Sequence, residues 1–155
     1  MPALSNITGL FETHIPVADL DRSIRFYRDQ IGLTLARVVP DRNAAFFWIA
    51  GPETGMLGLW GEQAGPLRMT LHFALRTPLA DLVRLPDRLD AQGIQPLGFH
   101  GDPIVEPVVI GWMPAASVYC KDPDGHSLEF LSPLAADPDD SFGIASLSHW
   151  YKRHP

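Results

Sequence analysis

The sequence has a single cysteine and fewer basic than acidic residues. Cys120 has no second cysteine to pair with, so an intrachain disulfide is excluded and a reducing, cytoplasmic location is expected. Twelve Lys and Arg against 18 Asp and Glu give a formal net charge of -6, which argues against nucleic acid as a partner. No apolar run approaches the roughly 20 residues that span a bilayer. A small molecule is therefore the expected partner, with no nucleic acid and no membrane.

Several common catalytic motifs are also missing. The chain contains no G-x-G-x-x-G, no P-loop and no G-x-S-x-G, so nucleotide binding and serine-hydrolase chemistry have no support in the sequence. Its length of 155 residues predicts one domain, or two small halves that share one core.

What is present begins with a strand and a helix. Residues 10–17 alternate as in a strand, and apolar residues then recur at helical spacing between Leu20 and Ile31. Asp19 is placed to cap this helix and Gly32 to end it. Three further strands are predicted at 33–39, 44–50 and 56–61, the last two joined through the turn at 51–55.

The same order of elements follows a second time. A strand at 68–76 leads into a helix with Thr77 as cap, Pro78 at its first position and Gly93 at its end. Pro86 predicts a kink or two short helices. The predicted strands are 94–99, 115–121 and 126–132, and the turn "DPDG" joins the last two.

This order is βαβββ twice and predicts an α+β fold. Two modules, 9–63 and 67–133, are expected to form one cup-shaped mixed sheet with the helices packed outside. Residues 134–155 form a C-terminal tail, in which a short helix is expected to dock through Trp150.

Polar residues interrupt the apolar alternation of three strands. Glu12 and His14 lie opposite Phe11, Ile15 and Val17, because side chains two residues apart share a face of a strand. In the same way, His72 lies opposite Leu71, Phe73 and Leu75, and Glu129 lies opposite Leu128 and Phe130. If these reverse faces line one hollow, imidazole and carboxylate groups converge there. They are the ligand set of Zn, Ni, Mn, Co or non-haem Fe(II).

Two stretches resemble a known superfamily. "HIPVADLDRSIRFYRDQIGL" and "YCKDPDGHSLEFL" are similar to the two signature stretches of the vicinal oxygen chelate superfamily, and the resemblance covers about residues 9 to 133. That superfamily includes glyoxalase I, extradiol dioxygenases and the fosfomycin and bleomycin resistance proteins. The resemblance implies one divalent metal in a cup, with His72 and Glu129 at matching ligand positions.

The first module departs from the superfamily pattern. The register that usually holds a histidine ligand holds Glu12, and His14 lies two residues further along, so either residue can complete the metal site. The register against Asp19 favours Glu12 as the ligand, with His14 as the neighbouring polar group. Where glyoxalase I has a glutamate on its fourth strand, this chain has Gly58 and Leu59.

The resemblance implies a glyoxalase-like lyase or isomerase that acts on a small molecule with adjacent oxygen atoms. Glu12 or Glu129 would move the proton, Trp60 and His100 are candidate substrate contacts, and a homodimer is expected. One alternative is an extradiol-type Fe(II) dioxygenase that uses His14, His72 and Glu129. Another is a metal-free resistance protein that binds a drug. His126, just after the turn, is expected to be a solvated hairpin residue.

Overall fold

The computed structural model describes residues 10–62 and 70–155, which fold as two compact units. Unit 1 contains β1 (Glu12–Pro16), α1 (Leu20–Arg25), β2 (Thr34–Val39), β3 (Ala44–Trp48) and β4 (Met56–Trp60). Unit 2 contains β5 (His72–Arg76), α2 (Leu79–Leu82), α3 (Leu85–Ala91), β6 (Val108–Ile110), β7 (Ala115–Lys121), β8 (Ser127–Pro133), β9 (Ile144–Ser146) and α4 (Leu147–Arg153).

Each unit is built on one mixed sheet. The strand order is β1-β4-β3-β2 in unit 1 and β5-β8-β7-β6-β9 in unit 2. The first strand pairs in parallel with β4 in unit 1 and with β8 in unit 2, and the other pairings are antiparallel. The predicted α+β class with two modules is confirmed.

The helix of unit 1 begins and ends as predicted. The Asp19 side chain accepts a hydrogen bond from the Arg22 backbone N–H at 2.9 Å, and α1 continues into a π-helical turn, Phe26–Gln30. Gly32 follows at a φ of 82°, which glycine adopts without strain. None of the helices in the described ranges is long and apolar enough to cross a membrane.

The core of unit 1 lies between α1 and the sheet. Tyr27 is fully buried, and its ring centroid lies 6.1 Å from that of Phe47 on β3. Ile15 and Val17 are buried as predicted, but Phe11 is 48% exposed. The expectation for Phe11 was wrong because the residue precedes β1, whose pairing with β4 begins at Glu12.

The helical segment of unit 2 divides at Pro86, as one of the predictions for this residue allowed. α2 and α3 are separate short helices, and Pro86 lies buried in the first turn of α3. The predicted cap was wrong, since α2 begins after Pro78 and the Thr77 hydroxyl instead donates to the Leu75 carbonyl at 3.3 Å. Gly93 follows α3 at a φ of 71°.

The predicted strand at 94–99 is not a strand. Only Leu97 pairs there, in isolated bridges to Pro103 and Tyr119. Pro96 has no N–H to donate, and the chain turns back where the Gly101 N–H donates to the Gly98 carbonyl. The short β6 supplies the missing strand, so the βαβββ order is kept.

The C-terminal tail is part of unit 2. β9 extends the sheet by pairing with β6, and α4 buries Trp150 to 2% exposure. The Trp150 ring packs edge-on against Phe142 at 4.8 Å and stacks on His154 at 3.8 Å. Arg153 donates to the Asp139 carboxylate at 2.7 Å, which fastens the end of α4. The helix docks through Trp150 as predicted, whereas β9 was not predicted.

We predict that Trp150→Ala lowers the free energy of unfolding by about 3 to 5 kcal/mol, because it opens a large cavity under α4. The matched control is Tyr151→Ala, which removes a neighbouring ring that is 50% exposed. This control should change stability by no more than about 0.5 kcal/mol. Urea unfolding of both variants measures the difference, and equal effects would contradict the docked position of α4.

Candidate functional site

Unit 1 carries a carboxylate and an imidazole side by side on β1. Glu12 and His14 share the face of β1 opposite Ile15, and their side chains are 38% and 43% exposed. The imidazole Nε2 of His14 is hydrogen-bonded to Glu12 Oε1. The two groups that the sequence singled out on β1 therefore contact each other directly.

Aromatic side chains surround this pair. The ring of His14 lies 5.9 Å from Phe46 and 5.5 Å from Trp60, centroid to centroid. The Arg42 guanidinium lies 4.5 Å over the Trp60 ring, within the range of a cation-π contact. Trp60 is therefore next to the polar pair of its own unit, where a substrate contact was predicted.

Glu129 is a buried carboxylate of unit 2. Only 5% of it is exposed, and its Oε1 accepts hydrogen bonds from the Ser117 hydroxyl at 2.6 Å and the Tyr119 hydroxyl at 2.9 Å. Both donors come from β7, where Tyr119 stands directly opposite Glu129. Sequence reasoning missed these donors, although alternation along β7 places them on one face. Two hydroxyls thus satisfy a carboxylate that burial would otherwise destabilise.

His72 faces the other oxygen of this carboxylate. Its Nε2 lies 3.2 Å from Glu129 Oε2, and its side chain is 52% exposed. Its Nδ1 lies 3.1 Å from the Ser127 carbonyl, which can only accept, so Nδ1 carries the proton of this hydrogen bond. A backbone carbonyl in this role is typical of metal-binding histidines. Nε2 is therefore the ring nitrogen that faces the Glu129 carboxylate.

The loop that replaces the predicted strand lies beside Tyr119. The Phe99 ring meets Tyr119 edge-on at 6.2 Å, and His100 contacts Phe99 at 5.2 Å. Burial, together with the Glu129 carboxylate, raises the pKa of Tyr119 well above its usual value. Tyr119 therefore stays protonated and donates to Glu129, and His100 lies one ring away.

His126 was expected to be solvated and is instead 1% exposed. Its Nδ1 accepts a hydrogen bond from the Leu71 N–H at 2.9 Å, and its backbone N–H donates to Asp122 Oδ1 at 2.8 Å. The prediction was wrong because the hairpin turn folds against the residue preceding β5. His126 links these two segments.

The metal-capable side chains that the sequence singled out occur as one pair within each unit. The structure brings Glu12 to His14 and His72 to Glu129, and among the described residues no group of three or more His, Cys, Asp or Glu side chains forms a cluster. The shared site for both pairs stays a prediction.

The sequence and the fold agree with one family. The sequence profile of the Glyoxalase/Bleomycin resistance protein/Dioxygenase superfamily matches residues 9–130. The chain therefore belongs to this superfamily, as its signature stretches predicted. No curated protein matches the sequence.

Solved structures share the fold. An integron cassette protein, HFX_CASS4, from the mobile metagenome of a Halifax Harbour sewage outfall is 32% identical, with a TM-score of 0.70 over 81% of this chain and 99% of that chain. Lactoylglutathione lyase from Agrobacterium tumefaciens is 24% identical, with a TM-score of 0.64 over 83% of this chain and 96% of that one. A glyoxalase/bleomycin resistance protein/dioxygenase from Nocardioides is also 24% identical, with a TM-score of 0.64 over 88% and 91%.

We predict that Tyr119→Phe lowers the free energy of unfolding by about 1 to 3 kcal/mol, because it removes a donor from the buried Glu129 carboxylate. Tyr151→Phe removes a hydroxyl from a half-exposed ring and serves as the control. Denaturant titration of both variants measures the difference. A Tyr119→Phe effect no larger than that of the control would contradict the role assigned to this hydroxyl.

We predict that Cys120 is unreactive in the folded protein. Burial, with a smaller effect of Asp122, raises the pKa of its thiol to about 12, so only about one molecule in 10⁴ carries the thiolate at pH 8. Iodoacetamide should label the native protein very slowly from pH 7 to 9 and the urea-unfolded protein readily. Mass spectrometry measures the labelling, and rapid labelling of native protein would contradict the prediction that Cys120 is buried and unreactive.

Proposed function

We propose that this protein is a metal-dependent, glyoxalase-like lyase or isomerase that acts on a small molecule with two adjacent oxygen atoms. The observation that carries this proposal is the arrangement of His72 and Glu129. An imidazole Nε2 and a carboxylate oxygen face each other at 3.2 Å, and each side chain is oriented by a separate hydrogen bond. A hydrogen bond from a ligand side chain to a further group typically orients that side chain toward a divalent ion.

The proposed ligands are His72 and Glu129 from unit 2 and at least one of Glu12 and His14 from β1. Imidazole and carboxylate together suit Zn, Ni, Mn, Co and Fe. A bound divalent ion would supply Lewis acidity toward the two substrate oxygens.

The two carboxylates differ in what they can do. Glu129 is buried, its Oε1 is taken by two hydroxyls and its Oε2 faces His72, so its role is to hold a ligand position. Glu12 is 38% exposed and makes its hydrogen bond through Oε1, so we assign to Glu12 the removal of the substrate proton. Either carboxylate was a candidate base from the sequence, and their surroundings favour Glu12.

Trp60 and His100 are the proposed substrate contacts. Trp60 offers an aromatic face next to His14, and Arg42 adds a positive charge on that ring. His100 lies in the loop over Tyr119. In unit 1, Trp60 and Arg42 suit a small substrate with an apolar part and a negatively polarised part.

We predict that the double variant His72→Ala and Glu129→Ala loses binding of a divalent metal. The matched control is His149→Ala, because this histidine is exposed on α4. Protein purified without chelator is analysed for Zn, Ni, Mn, Co and Fe, and each metal alone is then titrated by calorimetry.

Circular dichroism checks that the double variant stays folded. Full metal occupancy of the double variant would place the site elsewhere. A wild-type protein that binds none of the five metals would leave only the metal-free drug-binding alternative. Activity restricted to Fe(II) with dioxygen would select the dioxygenase alternative.

We also propose that the protein is a homodimer. β2 is one of the two edge strands of the unit 1 sheet, the other being β1, and an exposed strand edge favours pairing with a second chain. Light scattering at micromolar concentration should give twice the chain mass of 17.1 kDa. A mass that stays at one chain would contradict this assembly.

A further inference from the structure

One row of cross-strand neighbours crosses the polar face of the unit 1 sheet. His14 on β1 pairs with Gly58 on β4, Gly58 with Phe46 on β3, and Phe46 with Arg37 on β2. Residues paired directly across neighbouring strands present their side chains on the same face of the sheet. The row therefore has an imidazole at one end, an aromatic ring next to the gap at Gly58, and Arg37 at the other end.

A second arginine lies over the neighbouring row. Trp60 is two residues further along β4, and its ring meets Phe46 edge-on at 6.2 Å. The short 3₁₀ turn Pro40–Arg42 joins β2 to β3, and the guanidinium carbon of Arg42 lies 4.5 Å from the centre of the Trp60 ring. Arg37 and Arg42 thus belong to one hairpin, and each of the two aromatic rings has an arginine beside it.

The charges of these two arginines are not neutralised within the part of the chain that the structure describes. Both residues are exposed, and neither makes a hydrogen bond or an ion pair with a described residue. Glu12 is the one acidic residue in strands β1 to β4, and it is hydrogen-bonded to His14 on the far side of the sheet from β2. Two cations therefore remain available beside aromatic rings, in a protein with a net charge of -6.

This combination of groups suits a ligand with an anionic and an apolar part. A guanidinium binds the oxygens of a carboxylate or a phosphate through two parallel hydrogen bonds. Aromatic rings offer apolar surface to the remainder of such a ligand. Residues two apart along a strand are roughly 7 Å from each other, a distance over which two long arginine side chains can reach the same small molecule.

We propose that Arg37 and Arg42 bind an anionic oxygen group, a carboxylate or a phosphate, of a small molecule whose apolar part lies against Phe46 and Trp60. The proposal rests on the proposed function in treating this molecule as the substrate. It deepens that function, because it gives the substrate an anionic group in addition to its two adjacent oxygen atoms. The site lies entirely within unit 1, and anion binding there needs no metal.

The experiment measures ligand binding without added metal, from the indole N–H signals of the four tryptophans in isotope-labelled protein. Benzoate, phenyl phosphate and neutral benzamide share one ring, and inorganic phosphate has none. The anionic ring compounds should shift the signal of Trp60, which the variant Trp60→Phe identifies. The signal of Trp112 should not move, although this residue is 62% exposed, so it reports non-specific stacking. Benzamide should bind at least about 10-fold more weakly, because it has no charge.

Removal of either arginine should weaken anion binding specifically. Arg37→Gln and Arg42→Gln should each raise the Kd of the tighter anionic ring compound about 10-fold, the loss typical of a hydrogen bond to a charged group, with little effect on benzamide. Arg28→Gln is the matched control, because it removes the same charge from the π-helical turn after α1, where Arg28 pairs with Asp29. Comparison of benzoate with phenyl phosphate distinguishes a carboxylate from a phosphate ligand, and inorganic phosphate shows what the charge contributes alone.

Three results would overturn the proposal: equal affinity for benzamide and the two anionic ring compounds, equal effects of all three arginine variants, or no shift of the Trp60 signal with any anionic ring compound. Failure of the proposed function is a different result, because it is measured by metal binding. A protein that binds the anions through Arg37 and Arg42 but binds none of the five metals keeps the anion site and loses the metal-dependent function. A protein that binds metal through His72 and Glu129 but binds no anion keeps the function and loses the anion site.

Discussion

The parallel pairing of the first and last strands in each module is the constraint on which the rest of the structure depends. Because β1 pairs with β4 and β5 with β8, residues far apart in sequence stand side by side. Because side chains alternate along a strand, one face of the sheet can pack in the core while the other carries polar groups. In unit 1 the face that bears Ile15, Leu57 and Leu59 is buried under α1, and the opposite face is left for Glu12 and His14. Polar groups can therefore gather on a strand without opening the core.

A buried carboxylate shows what this arrangement requires of its neighbours. Glu129 would be unstable at 5% exposure without donors, and Ser117 and Tyr119 supply them from the adjacent strand. Tyr119 remains a donor because burial and Glu129 both raise the pKa of its phenol. One oxygen of Glu129 is thus fixed in place, and the other is oriented toward His72. Glu129 Oε2 is free to interact with His72 because the hydroxyls of Ser117 and Tyr119 already satisfy Oε1.

The features that could be read from the sequence are those with local signals. Asp19, Gly32 and Gly93 act through backbone hydrogen bonds or a positive φ near their own position, and all three stand where predicted. The α+β class followed from element order, and the superfamily from two signature stretches. The strand at 94–99 was wrong because strand pairing depends on distant partners, and only Leu97 found one. The donors to Glu129, and the burial of His126, depend on cross-strand register in the same way.

The departures of the first module from the superfamily pattern are linked to one another. A histidine at position 14 and a large side chain at position 58 exclude each other, because a Cβ on residue 58 would already lie 2.7 Å from the His14 ring. The position of the His14 ring therefore requires glycine at residue 58, and Glu12 places a carboxylate on the polar face, which has none on β4. Viewed separately, each residue weakens the resemblance to glyoxalase I. Taken together, they keep one imidazole and one carboxylate on the polar face of unit 1, the same two groups that unit 2 presents in the opposite order.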